Sequence, residues 1–339
     1  MNMNKMMKAW LAKAVMKKQP AIVARTEPIQ TLLVICFDAI GDFILSLPAL
    51  GALQLRYPDA SIELLCSPRN VVLAQQVAGI AACHAVVLNR ELFDKPSWAL
   101  LRGLRSRHFD LVINLFDEPD AVAMAKMLYI AHGKLLSLPL RYKNEAQQKL
   151  QPLFRAKARE VAAAVNPHFV YRMFAIVEGA VSGPYSVPAP CNMAFDTSRF
   201  GRYVVVNLAG SQQGNSVTAR LQQDILAALP TITGLSYLCF SHTPVAIERP
   251  DLRCCYPDSI LDAATLVRDA VGVCSTDTAI VHIAASYAVP TLILMNSEPW
   301  REAFIPLHGP HHVLKVAGDS LDALKPDDVT AALCRMLVS

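Results

Sequence analysis

The stretch "FDAIGDFILSLP", Phe37 to Pro48, sets two aspartates, Asp38 and Asp42, around Gly41. A carboxylate held on a rigid element beside an acceptor hydroxyl can take its proton, which is the work of a general base. Asp42 also falls at or just before the first turn of an apolar helix. Exposed amides and the helix dipole favour a carboxylate there, so capping is its alternative role. Gly41 permits a tight turn or the close approach of a ligand. A second stretch, "STDTAIVH", brings Ser275, Thr276, Asp277 and Thr278 to the start of a predicted helix, with His282 one turn further on. Amides of Thr278, Ala279 and Ile280 at that start suit a diphosphate, and Asp277 suits sugar hydroxyls. His282 either joins that site or is a core residue. A third, "VVVNLAGSQQGNS", places Asn207, Gly210, Ser211 and Gly214 between a strand and a helix beginning near Val217. It is either a phosphate loop or an ordinary polar one. It matches neither GxGxxG nor the Walker lysine pattern, and no glycine fingerprint follows any strand, which argues against a nicotinamide oxidoreductase.

These residues need strands to deliver them. After Thr31, "TLLVICF", "SIELLC", "HAVVL", "FDLVINLF" and "KLLSL" read as strands, and "FILSLPALGALQLRY", "PRNVVLAQQVAGI", "SWALLRGLRSR" and "PDAVAMAKMLYIA" as helices. From about Arg141 to Pro190 the alternation lapses into a helical stretch, "HFVYRMFAIVEGA", and a proline-containing linker, "SGPYSVPAPC". It resumes with "YVVVNLA", "ARLQQDILAAL", "LSYLCF", "DAATLVRDA", "VGVCS", "DTAIVHIAASYA" and "VPTLILM", and closes on the helix "PDDVTAALCRMLV". The expectation is an α/β chain with two Rossmann-like, doubly wound parallel-sheet domains, 29–185 and 186–339, facing a cleft, after a basic extension at 1–28. Ligands of such sheets bind outside the carboxyl ends of the strands.

Composition fits that plan. The chain has 339 residues, 53% of them hydrophobic, enough for two cores. No run of about 18 apolar residues is present, so no membrane span is expected. The nine cysteines lack CxxC spacing, and Cys36, Cys66, Cys239 and Cys274 lie in strand-like runs, which points to thiols in a reducing cytoplasm. Cys254 and Cys255 have no histidine at ligand spacing, so no zinc site is expected there. The net charge is +4, but residues 1–28 carry +5 and the remainder −1, so the body lacks the basic face of a nucleic-acid binder. In that leader Met3, Met7, Trp10, Leu11 and Ala14 recur at helical spacing among lysines. It reads either as a short interfacial helix on the inner-membrane surface or as a frayed, solvated leader. Lys13 interrupts the apolar stretch, unlike a signal peptide.

The first and third loops resemble glycosyltransferase family 9, the ADP-heptose:lipopolysaccharide heptosyltransferases. "DAIGDFILSLPALGALQLRYPDASIELL" is similar to that family's opening strand, aspartate loop and helix. "STDTAIVHIAASYAVPTLILM" is similar to its donor segment, usually written D-T-G-L-S-H-[LI]-A-A. The resemblance implies a GT-B fold and an inverting transfer with no metal or cofactor. The donor would be a nucleotide sugar, ADP-heptose, and the acceptor a lipopolysaccharide core or other surface glycan. By position it implies Asp42 as general base, and Asp277, Thr278, Ala279, Ile280 and His282 as donor contacts. Asp38 matches an aspartate of the wider family. Arg69, after "SIELLC", and Arg56 are expected to meet an anionic acceptor, whereas Arg102, Arg105 and Arg107 are expected on a solvated helix face. Arg220 and Arg301 are candidate cations for the leaving diphosphate. The chain departs from the family in three places. "QQGNSVTAR" stands where a lysine usually precedes Trp-Pro, Ala279 and Val281 replace Gly and Ser, and "SHTP" replaces an acidic stretch. Those departures motivate a second expectation, a non-catalytic member that binds a nucleotide sugar or a partner.

Overall fold

The structure, a computed structural model, describes residues 3–24, 27–37, 39–88, 94–177, 183–210, 214–241, 245 and 247–338. The chain divides into two compact units, Met1–Pro184 and Tyr185–Ser339. The first opens on α1 (Met3–Lys17), β1 (Thr31–Cys36), α2 (Ile40–Arg56), β2 (Ser61–Cys66), α3 (Val71–Ala74), β3 (Ala82–Ala85) and α4 (Lys95–Ser106). It continues through β4 (Leu111–Asn114), α5 (Ala121–Ala131), β5 (Leu135–Ser137), α6 (Glu145–Gln148), α7 (Gln151–Arg155), β6 (Ala158–Glu160) and α8 (Phe169–Phe174). Its strands are all parallel, in the order β3-β2-β1-β4-β5-β6. Central β1 is buried from Leu32 to Cys36, the unbroken apolar run that a strand covered on both faces requires. The order reverses between β1 and β4, so the loops after these two strands flank the switch point.

The leader belongs to this unit, which corrects the frayed reading. Helix α1 packs on α5, with Ala12 and Met16 fully buried in the core cluster. Arg105 donates to Gln19 Oε1 at 2.9 Å and Lys157 Nζ to the Gln19 carbonyl at 2.5 Å. The Val23 amide reaches the Gly133 carbonyl at 2.9 Å. Gly133 has φ +88°, and a Cβ there would lie 2.6 Å from the Ala21 carbonyl, so this seam needs a glycine. Arg105 also donates to His132, and Arg107 pairs with Glu63. Neither is therefore part of a purely solvated helix face.

The second unit contains β7 (Tyr203–Asn207), α9 (Ala219–Ala228), β8 (Ser236–Phe240), β9 (Leu252–Cys255) and α10 (Ile260–Arg268). β10 (Gly272–Thr276), α11 (Ala279–Ser286), β11 (Thr291–Asn296), β12 (His311–Val316) and α12 (Pro326–Val338) complete it. Its parallel order is β12-β11-β10-β7-β8-β9, the arrangement of the first unit repeated, with the reversal between β7 and β10. Cys239 and Cys274 are buried in its strands, as Cys36 and Cys66 are in the first sheet. Burial pushes the Cys274 thiol up to about 12.

The sequence pattern misses β6, β9 and β12 and sets β3 two residues late. All four are sheet edges. An edge strand is covered on fewer sides and carries polar residues, as in "ARE" and "LRCC", so no apolar run marks it. The helix expected over "PRNVVLAQQVAGI" shrinks to α3. Beyond it Gly79 turns the chain at φ +76°, and Gln54 Nε2 holds the Ala78 carbonyl at 2.6 Å.

Candidate functional site

In the second unit the two loops at the switch point are stitched together. Asn207, the last residue of β7, donates Nδ2 to Ser275 Oγ at 3.1 Å and to Thr278 Oγ1 at 3.0 Å. Ser275 Oγ and Thr278 Oγ1 are themselves 3.2 Å apart. Thr278 is the N-cap of α11, yet its side chain makes no cap bond. Its hydroxyl accepts from Asn207 instead, so it does not cap the amides at the start of the helix. Helices α9 and α10 of the same sheet are capped by Thr218, at 3.3 Å from the Leu221 amide, and Ser259, at 3.1 Å from the Asp262 amide. Among the described residues the buried Thr276 hydroxyl has no hydrogen-bond partner. His282 lies one turn into α11 and is buried.

Asp277 is held from two sides. Its carbonyl accepts Asn215 Nδ2 at 2.7 Å, and its Oδ2 accepts Arg301 Nη1 at 2.8 Å. The Arg301 side chain is 2% exposed and also binds Glu298 Oε2 through Nε at 3.1 Å and Nη2 at 3.0 Å. Its guanidinium stacks on Trp300 with 4.5 Å to the ring centre. Arg301 is thus committed to two carboxylates rather than presented to a ligand. Gly214, at φ +85°, packs against this cluster. A Cβ there would fall 2.5 Å from the Asp319 carbonyl. Gly210 is equally close-packed, its amide donating to Ser216 Oγ at 2.8 Å, and a Cβ there would meet Asn215 at 2.7 Å. Ser211 lies outside the described residues, as do His242, Thr243 and Pro244. Arg220 is exposed in the first turn of α9.

In the first unit Asp42 is the third residue of α2, and its Oδ2 accepts the Ala39 amide at 3.2 Å. Ala39 itself offers no side-chain acceptor, so the carboxylate supplies the side-chain bond at this helix start. Gly41 sits inside the helical turn, which corrects its expected role in shaping a loop. Asp38 lies outside the described residues. Arg69 is exposed in the turn after β2, and Arg56 lies over the Tyr57 ring with 5.2 Å to its centre.

A group not foreseen from the sequence occupies the other side of this switch point. Asp117, after β4, is 1% exposed and accepts Arg141 Nε at 3.0 Å as well as Arg172. Glu118 beside it pairs with Arg141 Nη2 at 2.7 Å and Lys143 Nζ at 2.5 Å. Arg141 and Lys143 remain 46% and 60% exposed, so this cluster shows cations to solvent. Its trace in the sequence is the acidic "FDEPD" directly after a predicted strand.

No protein-family model matches the chain. Among curated proteins it is similar to lipopolysaccharide heptosyltransferase 3 of Escherichia coli (strain K12), 32% identical over 81 residues, or 23% of this chain and 24% of that protein. The match therefore spans about a quarter of that relative's length. Among solved structures it is similar to E. coli heptosyltransferase WaaC with ADP, with a TM-score of 0.71 and 18% identity over 91% of this chain and 100% of that one. A glycosyl transferase family 9 protein from Veillonella parvula DSM 2008 also has a TM-score of 0.71, at 14% identity over 91% of this chain and 97% of that one. The chain has the GT-B fold of solved glycosyltransferase family 9 proteins, the family its sequence resembles.

Proposed function

We propose that the chain is an inverting glycosyltransferase that moves heptose, or a related sugar, from ADP-heptose or a kindred nucleotide donor to a lipopolysaccharide core or other surface glycan. One observation carries the reading. Asn207 and Ser275 engage the Thr278 hydroxyl, leaving α11 without a side-chain cap at the switch point, where a diphosphate is best received. The similarity to heptosyltransferases, one of them solved with ADP, supports the choice of donor.

In the proposed step Asp42 takes the proton of an acceptor hydroxyl as its oxygen attacks the anomeric carbon. The bond from that carbon to the diphosphate oxygen breaks, and configuration inverts. Charge building on the leaving diphosphate is offset by the α11 amides and dipole, so the step needs no metal. Thr278, Ala279 and Ile280 hold phosphate oxygens, while Asp277, Asn207, Gly210, Ser211 and His282 shape and line the donor site. On the acceptor side Arg69, with Arg141 and Lys143, suits an anionic sugar, and Gly41 and Asp38 adjoin the base. Such a reaction belongs at the cytoplasmic face of the inner membrane.

The test is Asp42→Asn with transfer followed by mass spectrometry. Turnover should fall by about 10²- to 10⁴-fold while the thermal shift with ADP stays as in the parent. Full turnover in the variant would remove Asp42 as base. The engagement of Arg301 by Asp277 and Glu298, with no lysine in "QQGNSVTAR", favours one alternative, a nucleotide-sugar binder without catalysis. Transfer or donor hydrolysis by the parent chain disposes of it.

A further inference from the structure

Helix α1 has two apolar sides. One buries Ala12 and Met16 against the first unit's core. At 100° per residue, Met7, Trp10, Leu11 and Ala14 gather on the opposite side, with Val15 at the flank against the core. Met7 is 53% and Trp10 68% exposed, unusual for side chains of this size on adjoining turns. Leu11, Ala14 and Val15 also wall a groove of about 710 Å³, closed on its far side by Trp98 of α4 and lined by Lys18, Lys95 and Arg102. Trp98 sits edge-on to Tyr129 with 5.1 Å between ring centres, so the groove wall is fixed.

The charges around this surface choose its partner. Helix α1 holds no acidic residue, and Lys13, Lys17 and Lys18 are exposed along it, as are Lys95 and Arg102 on α4. Asp94, next to Lys95, gives its carboxylate to the Ser97 hydroxyl. A second copy brought onto this face by a two-fold axis would set lysines against lysines. An anionic bilayer meets every group present. Cations reach headgroup phosphates, indole and thioether sit at the acyl boundary, and the groove admits part of an acyl chain.

We propose that the α1 and α4 face is a binding surface for anionic lipid, with α1 lying in the plane of the interface. The inference rests on this surface alone, so it stands or falls separately from the transferase reading.

The test is co-sedimentation of the full chain with phosphatidylcholine vesicles and with vesicles containing phosphatidylglycerol. Binding is expected only to the latter and should weaken as salt rises. Lys95→Glu with Arg102→Glu should lower the partition coefficient at least about twentyfold, each cation near such a surface contributing roughly fivefold. Trp10→Ala should lower it at least about tenfold. All three side chains are solvent-facing, so the thermal midpoint should stay at the parent value. If it falls for Trp10→Ala, the α4 double variant decides. Equal partition onto both vesicles, absence of binding, or parental binding by the α4 variant overturns the proposal. So does a concentration-dependent dimer that Trp10→Ala abolishes, which would assign the face to a second copy.

Discussion

At the first switch point Asp42 lies within α2 and accepts an amide of its own helix start. At the second, Asp277 precedes α11 and faces an arginine that is 2% exposed. The two units share one strand order, yet they handle these carboxylates differently. A carboxylate that must take a proton needs access to substrate. One that must hold a loop needs a buried cation, because an unpaired charge is costly away from water. The exposed cations are distributed unequally too. The first unit shows Arg141 and Lys143 at its switch point, whereas the second buries Arg301 and, among the described residues, exposes Arg220 alone at the start of α9. Equal topology therefore does not mean equal chemistry. Partners, more than position, separate a candidate base from a strut.

Substitution of the two arginines tests this contrast most severely. Arg301→Met leaves Asp277 and Glu298 without their buried cation and should destabilise the second unit by about 3 to 5 kcal/mol. Arg141→Met, at a half-exposed arginine whose buried partner Asp117 keeps Arg172, should cost about 1 kcal/mol or less. Urea unfolding of both variants gives the comparison, and equal losses would erase it. Next in size, Asn207→Ala releases the Thr278 hydroxyl and should cost about 1 to 2 kcal/mol. The same change should weaken ADP binding severalfold in calorimetry, because Thr278 can then turn to its own helix. An unchanged affinity would detach the stitch from the donor site.

The smallest effect is on pH dependence. Arg249 grips Asp251 through two bonds of 2.7 and 2.9 Å and holds its carboxyl below the usual range; Arg268 does the same for Asp269. In the first unit burial raises the Asp110 carboxyl, but donors from Gln30 and Thr31 outweigh it and the net direction is down. A carboxyl held low when folded stabilises above its unfolded value of about 4 and loses that contribution as pH falls through the folded one. Urea midpoints should therefore drop below about pH 4, and Asp251→Asn should flatten the drop in the second unit by less than about 1 kcal/mol. A slope unaltered by that change would exclude the Arg249 pair as its source.

The inner strands and the loops they feed were legible because β1, β7 and β11 are buried almost throughout and centre on apolar runs. The edges were not, since charged or polar residues break up β6, β9 and β12. Of the site, the order Asp277, Thr278, helix was visible locally. The Arg301 partner stands 24 residues on, and the pairs of Asp117 come from Arg141 and Arg172, so no local spacing reveals either. Apart from Lys126, "AVAMAKMLYIA" is apolar around its circumference, and such a helix has to be covered on its outer side as well. The cover is α1, which composition alone presented as a charged leader.

That cover has a cost in time. Helix α1 is made first, but its partner α5 starts only at Ala121, and the seam at Gly133 follows later still. At ribosomal speeds of about 5 to 20 residues per second, the Ala12 and Met16 face waits roughly 5 to 25 seconds for its place. During synthesis that face of α1 therefore stays uncovered until α5 has emerged. Folding of this unit has to wait for a helix more than a hundred residues downstream before its first helix can be buried.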